Sequence, residues 1–171
     1  MMFVFDASPL VASCQYSVAG QSVASRVLAE IHVQIPPAVY TEVVTRGGTR
    51  HDALEAARLV RDDQLHLADV ASVAEELDDL QYYQLGPGEK EAMTLMTRLP
   101  DAVLVTDDFL ALIVAHRLGL RAQLFLDFVV GCAQSGTLSL MDAQHIVQVV
   151  SPCYPHGFVP HSLALLRRLL S

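Results

Sequence analysis

Two apolar segments that end on acidic residues constrain the fold of this chain most strongly. Residues 1–5 form an unbroken apolar run that stops at Asp6, and residues 102–105 form a second run followed by Thr-Asp-Asp at 106–108. Short bulky runs without polar alternation predict strands of a parallel sheet that is buried on both faces. Ligands of open parallel sheets collect just outside the carboxyl ends of strands. The two acidic ends therefore predict one shared acidic pocket.

The composition favours one soluble domain. The chain has 171 residues and is 52% hydrophobic, but the apolar residues are spread over short segments. None approaches the roughly 20 apolar residues that span a bilayer. The N-terminus carries no basic residue and is broken by Asp6, which argues against a signal peptide. Three widely spaced cysteines suit reduced thiols. We therefore expect a cytoplasmic protein that does not contact the membrane.

The charge balance limits how the protein can bind nucleic acid. The net charge is −8, and the sequence contains no basic stripe. A nucleic-acid substrate would require bound cations to offset the acidic pocket first. Scattered arginines, including Arg46, would then supply the phosphate contacts.

Strand-like and helical segments alternate along the chain and predict a doubly wound parallel α/β sheet. Strands are expected at residues 1–5, 31–35, 64–68, 102–105 and 121–124. Helices are expected at residues 9–16, 21–30, 37–46, 52–62, 70–83, 89–98, 108–118, 127–134, 141–149 and 161–170. We find no internal repeat and no linker that would divide the chain into two domains.

Helical periodicity indicates which of the acids after the Gly-Pro-Gly turn at residues 86–88 faces the core and which faces solvent. Glu89 falls on the apolar face of the following helix, whereas Glu91 falls with Thr94 and Arg98 on the polar face, where solvated pairs are expected. Glu89 therefore points inward at a helix N-terminus, whose partial positive charge favours a carboxylate. The alternative is that Glu89 only caps this helix.

Each of the other acids has its own alternative. Glu42 lies at the rim of an earlier helix and could simply be the i,i+4 partner of Arg46. Asp108 could be the N-cap of the next helix. Asp6 is harder to explain in this way, because its neighbours offer no local partner. Four acids from four elements together predict a hard-oxygen site for Mg²⁺ or Mn²⁺. Without a cation the crowded carboxylates would raise one another's pKa.

The order and spacing of these segments resemble the PIN-domain family. The matching motifs are Phe-Asp-Ala-Ser-Pro-Leu at 5–10, the segment from Ile35-Pro36 to Glu42, Leu-Gly-Pro-Gly-Glu at 85–89, and Leu-Val-Thr-Asp-Asp at 104–108. The chain is most similar to the prokaryotic branch related to VapC-type toxins and to predicted nucleic-acid-binding PIN proteins. The resemblance covers the whole chain, which implies one domain over residues 1–171 with a C-terminal helical extension over about 140–171.

The resemblance implies a single three-layer α/β domain with strand order near 3-2-1-4-5 and a metal-dependent ribonuclease site. By similarity, the first three acidic positions are Asp6, Glu42 and Glu89. The fourth falls on Asp108, with Asp107 as the adjacent candidate metal ligand. Candidate substrate contacts are Ser8, Arg46 and Thr106. Ser8 could orient Asp6 or a bound water, or act as a helix N-cap instead.

These inferences predict Mg²⁺- or Mn²⁺-dependent hydrolysis of RNA, in which Asp6, Glu89 and Asp108 hold the metal and Glu42 positions or deprotonates the attacking water. The resemblance implies a possible toxin role with a small antitoxin protein as partner, and a homodimer formed through apolar helix faces. The alternative is a PIN fold with weak or no activity that serves as a nucleic-acid- or protein-interaction module.

Overall fold

The computed structural model describes residues 2–75 and 77–169. In chain order the elements are β1 (Met2–Phe5), α1 (Ala7–Gln15), β2 (Ser17–Val18), β3 (Gln21–Ser22), α2 (Val23–Leu28), β4 (His32–Ile35), α3 (Pro37–Tyr40), α4 (His51–Arg61), β5 (His66–Leu67), α5 (Pro87–Arg98), β6 (Val103–Val105), α6 (Phe109–Arg117), β7 (Ala122–Gln123), α7 (Phe125–Gln134), α8 (Leu140–Val149) and α9 (Phe158–Arg168). A π-helical turn, Thr41–Thr45, continues α3. Short 3-10 helices lie at Val70–Ser72, Asp78–Tyr82 and Ser151–Cys153.

The main sheet has five parallel strands in the order β5-β4-β1-β6-β7. If only these five strands are numbered along the chain, their order in the sheet is 3-2-1-4-5. The predicted strand order is therefore confirmed. The central strand β1 pairs with β4 on one side and with β6 on the other. Its carboxyl end therefore lies where the strand order reverses, which is the usual place for a ligand in an open α/β sheet.

The residues of β1 alternate between two apolar cores, one on each face of the sheet. Phe3 and Phe5 belong to one core, where the Phe3 ring meets that of Phe128 on α7 edge-on at a centroid distance of 4.8 Å. Val4 belongs to the other core, together with apolar residues of α5 and α6. Because helices cover both faces, β1 is buried from Phe3 to Phe5, and Asp6 is the first polar residue beyond it. The three-layer prediction is confirmed.

Two predicted helices differ in the structure. The segment 21–30 was expected to be one helix, but Gln21–Ser22 pairs antiparallel with Ser17–Val18 and the helix begins at Val23. The turn residues Ala19 and Gly20 have φ angles of 51° and 79°, which is the left-handed geometry that two-residue hairpin turns require. This turn forms a hairpin where the apolar pattern alone had indicated helix.

The predicted helix over 70–83 is also wrong. Two 3-10 helices, Val70–Ser72 and Asp78–Tyr82, occupy this stretch, and Glu76 between them lies outside the described residues, as does Leu170 at the end of another predicted helix. The sequence places acids at 75, 76, 78 and 79, and like charges three and four residues apart disfavour an α-helix. Among the described residues, no helix is long and apolar enough to cross a membrane.

Candidate active site

Asp6 follows β1 directly and is held at the centre of the sheet edge. Its backbone N–H donates to the Val105 carbonyl at 3.0 Å, which extends the ladder between β1 and β6 by one residue. Its side chain is the N-cap of α1, where Oδ1 accepts from the Ala7 N–H at 2.7 Å. The expectation that Asp6 lacks a local partner is therefore wrong. The residue is nevertheless only 2% exposed, an unusual environment for a carboxylate.

The Thr106 hydroxyl fixes the second oxygen of Asp6. Thr106 follows β6, is fully buried, and donates to Asp6 Oδ2 at 2.9 Å. The same hydroxyl accepts from the Asp108 N–H at 3.2 Å. Because its side chain is inaccessible, Thr106 does not present the substrate contact expected from the sequence. It orients Asp6 instead and connects it to the end of the neighbouring strand.

Glu42 reaches the same edge from the π-helical turn after α3. Its side chain is exposed, and Gly88 at the start of α5 lies between it and Asp6. A Cβ atom placed on Gly88 would lie 3.5 Å from Asp6 Oδ1 and 3.6 Å from Glu42 Oε2. The two carboxylates therefore face a common space that a glycine keeps open.

Glu89 joins this group from the first turn of α5. Its carboxylate folds back over Gly86, so that a Cβ atom on Gly86 would lie 2.5 Å from Glu89 Oε2. Negative charge is favourable at this helix N-terminus. Together these three acids define the acid pocket, made of Asp6, Glu42 and Glu89.

The charges of Glu89 and Glu42 act on the Asp6 carboxyl. Burial raises the pKa of the Asp6 carboxyl from 3.8 to about 6, and the negative charges of Glu89 and Glu42 add to this rise. The hydrogen bonds from the Ala7 N–H and the Thr106 hydroxyl oppose it, because they stabilise the ionised form. The acid pocket therefore holds a carboxylate whose ionisation a nearby cation would favour.

Glu91 does not form the solvated pairs expected of it. Its Oε2 accepts from the Ala38 N–H at 2.7 Å, which joins α5 to the first turn of α3. Thr94, which was placed on the same polar face, is buried. The polar-face assignment was wrong because α3 packs over this side of α5. The resulting contact helps to position the π-helical turn that carries Glu42.

The two adjacent aspartates after β6 point to different places. Asp108 is exposed and its Oδ1 accepts from the Ala111 N–H at 2.8 Å, so it is the N-cap of α6. Asp107 turns the other way: Oδ1 accepts from the Phe125 N–H at 3.1 Å and Oδ2 accepts from the Tyr154 hydroxyl at 2.7 Å. Both oxygens of Asp107 thus tie the sheet edge to α7 and the C-terminal segment. Burial raises its pKa.

The remaining candidate residues lie at the rim. Ser8 is exposed in the first turn of α1, and the N-cap of this helix is Asp6 rather than Ser8. Arg46 is exposed and lines the same small cavity as Glu42. The structure thus brings together Asp6, Glu42 and Glu89, with Thr106 behind them and Arg46 beside them.

The donor set of the acid pocket suits a hydrated cation rather than a closed cage. Among the residues that the structure describes, no three His, Cys, Asp or Glu side chains are arranged to hold one ion. Mg²⁺, however, keeps several waters and takes only one or two protein carboxylates. Asp6 and Glu89 provide that number of hard oxygen ligands, and Glu42 faces Asp6 across Gly88 from the rim. The residues therefore fit Mg²⁺ or Mn²⁺ bound partly through water.

Comparison with known proteins places this geometry in a family. A family model described as a PIN domain matches residues 2–150. The chain belongs to the PIN-domain family. PIN domains are generally nucleases and typically use divalent metals. Comparisons with curated proteins and with solved structures gave no match. The family match ends at Val150, so α9 and the segment before it lie beyond the matched residues.

Sequence reasoning missed two residues, one in the acid pocket and one beside it. Gly88 was assigned to a tight loop, although it lies in the first turn of α5 and separates two carboxylates. Tyr154 gave no signal, because its partner Asp107 is 47 positions away in the chain. Pro87 could have predicted that the helix begins before Gly88, because proline is favoured at the first position of a helix.

Proposed function

We propose that this PIN-domain protein is a divalent-metal-dependent endoribonuclease that uses the acid pocket. The observation that carries the proposal is the Asp6 carboxylate, buried at the carboxyl end of the central strand and close enough to Glu42 and Glu89 for their charges to raise its pKa. Burial of a charge without a counter-charge destabilises a fold. A cation would remove this cost, and phosphodiester hydrolysis is a reaction that uses one.

Each residue has a separate task in this proposal. A bound Mg²⁺ or Mn²⁺ would supply Lewis acidity and a more acidic bound water. Asp6 and Glu89 would hold it, with Thr106 keeping Asp6 in one orientation. Glu42, exposed at the rim, is placed to orient the attacking water and accept its proton. Arg46 beside Glu42 would contact a substrate phosphate, and Asp108 would contribute its free oxygen from the start of α6.

A cleavage assay tests the proposal. Single-stranded RNA is incubated with the purified protein and either Mg²⁺, Mn²⁺ or a chelator, and the same is done with Asp6→Asn and Glu89→Gln. We expect cleavage that requires the metal and falls to background in both variants. Asp79→Asn is the control, because Asp79 is an exposed acid in a 3-10 helix that contributes no residue to the acid pocket. Cleavage that persists in chelator or in Asp6→Asn would overturn the proposal.

A second candidate function is an interaction module without catalysis. It is favoured by the exposed apolar side chains of α6, which suit contact with another protein. Calorimetric titration with Mn²⁺ separates the two candidates. Heat of binding that disappears in Asp6→Asn supports the nuclease, whereas RNA binding without any metal binding supports the module.

The toxin role and the homodimer are further proposals. Helix α6 carries exposed apolar side chains, with Phe109, Leu110 and Ile113 at 53%, 40% and 53% exposure, and such a face suits contact with a second copy or a small antitoxin. Light scattering of the purified protein tests the dimer, and a monomer at micromolar concentration would contradict it. Growth arrest on expression, relieved by a small protein encoded beside it, would support the toxin role.

A further inference from the structure

Two cavities meet above the first turns of α5. The first, of about 290 Å³, adjoins the acid pocket and is lined by residues that include Glu42, Arg46, Pro87 and Glu91. The second, of about 370 Å³, is lined by residues that include Val73, Leu85, Pro87, Lys90, Glu91 and Thr94. We call it the Thr94 cavity. Because Pro87 and Glu91 line both, the two cavities adjoin each other on the surface around these residues, and we call the pair the groove.

Thr94 gives the second cavity an unusual polar group. The residue is only 2% exposed, and its hydroxyl oxygen is buried without a hydrogen-bond partner among the described residues. A threonine inside a helix ordinarily bonds the carbonyl four residues earlier, and buried hydroxyls are nearly always paired. A threonine hydroxyl can donate one hydrogen bond and accept two. The chain therefore leaves the hydrogen-bonding capacity of this hydroxyl unused, on a residue that lines the cavity.

The rest of the lining selects the kind of ligand. Val73 and Leu85 make part of the wall aliphatic, whereas Lys90 and Glu91 make another part polar. The volume lies within the roughly 300–1,000 Å³ of small-molecule pockets. A flat group with apolar faces and hydrogen-bonding edges matches such a lining, and an unstacked nucleobase has this character. Arg46 in the first cavity can contact the backbone phosphates between the base and the acid pocket. The Glu91 carboxylate is engaged with the Ala38 N–H.

We propose that the Thr94 cavity binds one unpaired base of a single-stranded RNA whose cleaved phosphate lies in the acid pocket. The proposal rests on the nuclease function and adds a subsite to it. A base inside a duplex cannot leave its stack at low cost, so the subsite favours single strands over double strands. Thr94 then influences which base is held, through a single hydrogen bond to the edge of that base.

The test compares three variants of α5. Thr94→Val removes the hydroxyl and keeps the shape, Thr94→Ser keeps the hydroxyl, and Thr97→Val changes an exposed threonine one turn further along the same helix. Affinity for a short single-stranded RNA is measured with Mg²⁺ in the Glu42→Gln background, where the proposed proton acceptor is removed so that the RNA stays intact, while the proposed metal ligands Asp6 and Glu89 are kept. Thr94→Val should weaken binding about three- to tenfold, as expected for the loss of one ordinary hydrogen bond. Thr94→Ser and Thr97→Val should bind within about twofold of the parent.

Photocross-linking locates the base independently. RNA that carries 4-thiouridine should cross-link to peptides containing residues 73–74 or 85–94. The cavity assignment is overturned if Thr94→Val binds RNA normally, if the cross-links map elsewhere, or if the groove takes up a peptide and no RNA. Failure of the nuclease proposal looks different, because metal-dependent cleavage by the unmodified protein would then be absent whatever the variants show.

Discussion

Replacing Asp6 by Asn should stabilise the metal-free protein while abolishing its response to metal. The side chain of Asp6 has two structural duties, which are to cap α1 and to accept from Thr106. Asparagine caps a helix as well as aspartate does. It can also bond the Thr106 hydroxyl, which accepts as well as donates. What the substitution removes is the charge, and the charge is the unfavourable part of this residue in the absence of a cation.

The pKa of Asp6 gives the size of this effect. Its carboxyl titrates at about 6 in the folded protein, against an ordinary value of 3.8. Between these two values the folded state binds more protons than the unfolded state, so stability falls as the pH rises through this window. At about 1.4 kcal/mol per pKa unit, the ionised Asp6 costs the metal-free fold about 3 kcal/mol near neutral pH. Asp6→Asn should recover up to that amount.

Chemical denaturation in the presence of a chelator, repeated from about pH 4 to about pH 8, measures the effect. The gain from Asp6→Asn should be largest near neutral pH and should shrink towards the acid end, where Asp6 is already protonated. Added Mn²⁺ should stabilise the unmodified protein and leave the variant unchanged. Asp79→Asn controls for the loss of one surface charge. If Asp6→Asn destabilises the protein equally at every pH, Asp6 is a structural residue and its place in a metal site must be given up.

Three further changes test the surroundings of the acid pocket. Thr106→Val removes a hydrogen bond that lowers the pKa of Asp6, so the pH midpoint of Mn²⁺-induced stabilisation should move upwards. Gly88→Ala should fold, since its methyl group would lie 3.2 Å from Val39 and can be accommodated by a small shift, but it should weaken Mn²⁺ binding in calorimetry because it fills the space between two carboxylates. Tyr154→Phe should cost about 1–2 kcal/mol in urea unfolding and leave Mn²⁺ affinity unchanged, because Tyr154 bonds Asp107 outside the acid pocket.

The sheet was predictable because its strands carry their own signal. The run before Asp6 is apolar at every position, and only a strand covered on both faces explains that pattern. The helix predicted over 70–83 shows where this logic fails, because its apolar residues had helical spacing while its clustered acids disfavoured an α-helix. The turn of the β2–β3 hairpin places Ala19 in a left-handed conformation, which alanine rarely adopts. The residue pattern therefore did not predict this hairpin.

The sequence predicted that Asp6, Glu42 and Glu89 lie together, as they do, but it placed Asp108 with them and did not foresee their contacts. Strand ends and helix starts identified Asp6 and Glu89, since both positions follow from local patterns. The roles of Asp107 and Glu91 could not be found in this way. Each is set by a partner far away in the chain, Tyr154 in one case and Ala38 in the other, and only the packed fold brings these pairs together.

The difference between structural and functional charge explains why Asp6 matters most. Glu55 shows what a structural carboxylate gains from its surroundings: hydrogen bonds from Arg58, Ser22 and Ser25 lower its pKa to about 2, so its ionisation stabilises the fold. Asp6 is in the opposite situation, since burial and two neighbouring acids make its ionisation unfavourable. Its capping bond requires only an oxygen, which asparagine would supply without the charge. The proposal gives this unfavourable charge a purpose, because a bound divalent cation would offset it and the oxygen-rich surroundings of Asp6 fit such an ion.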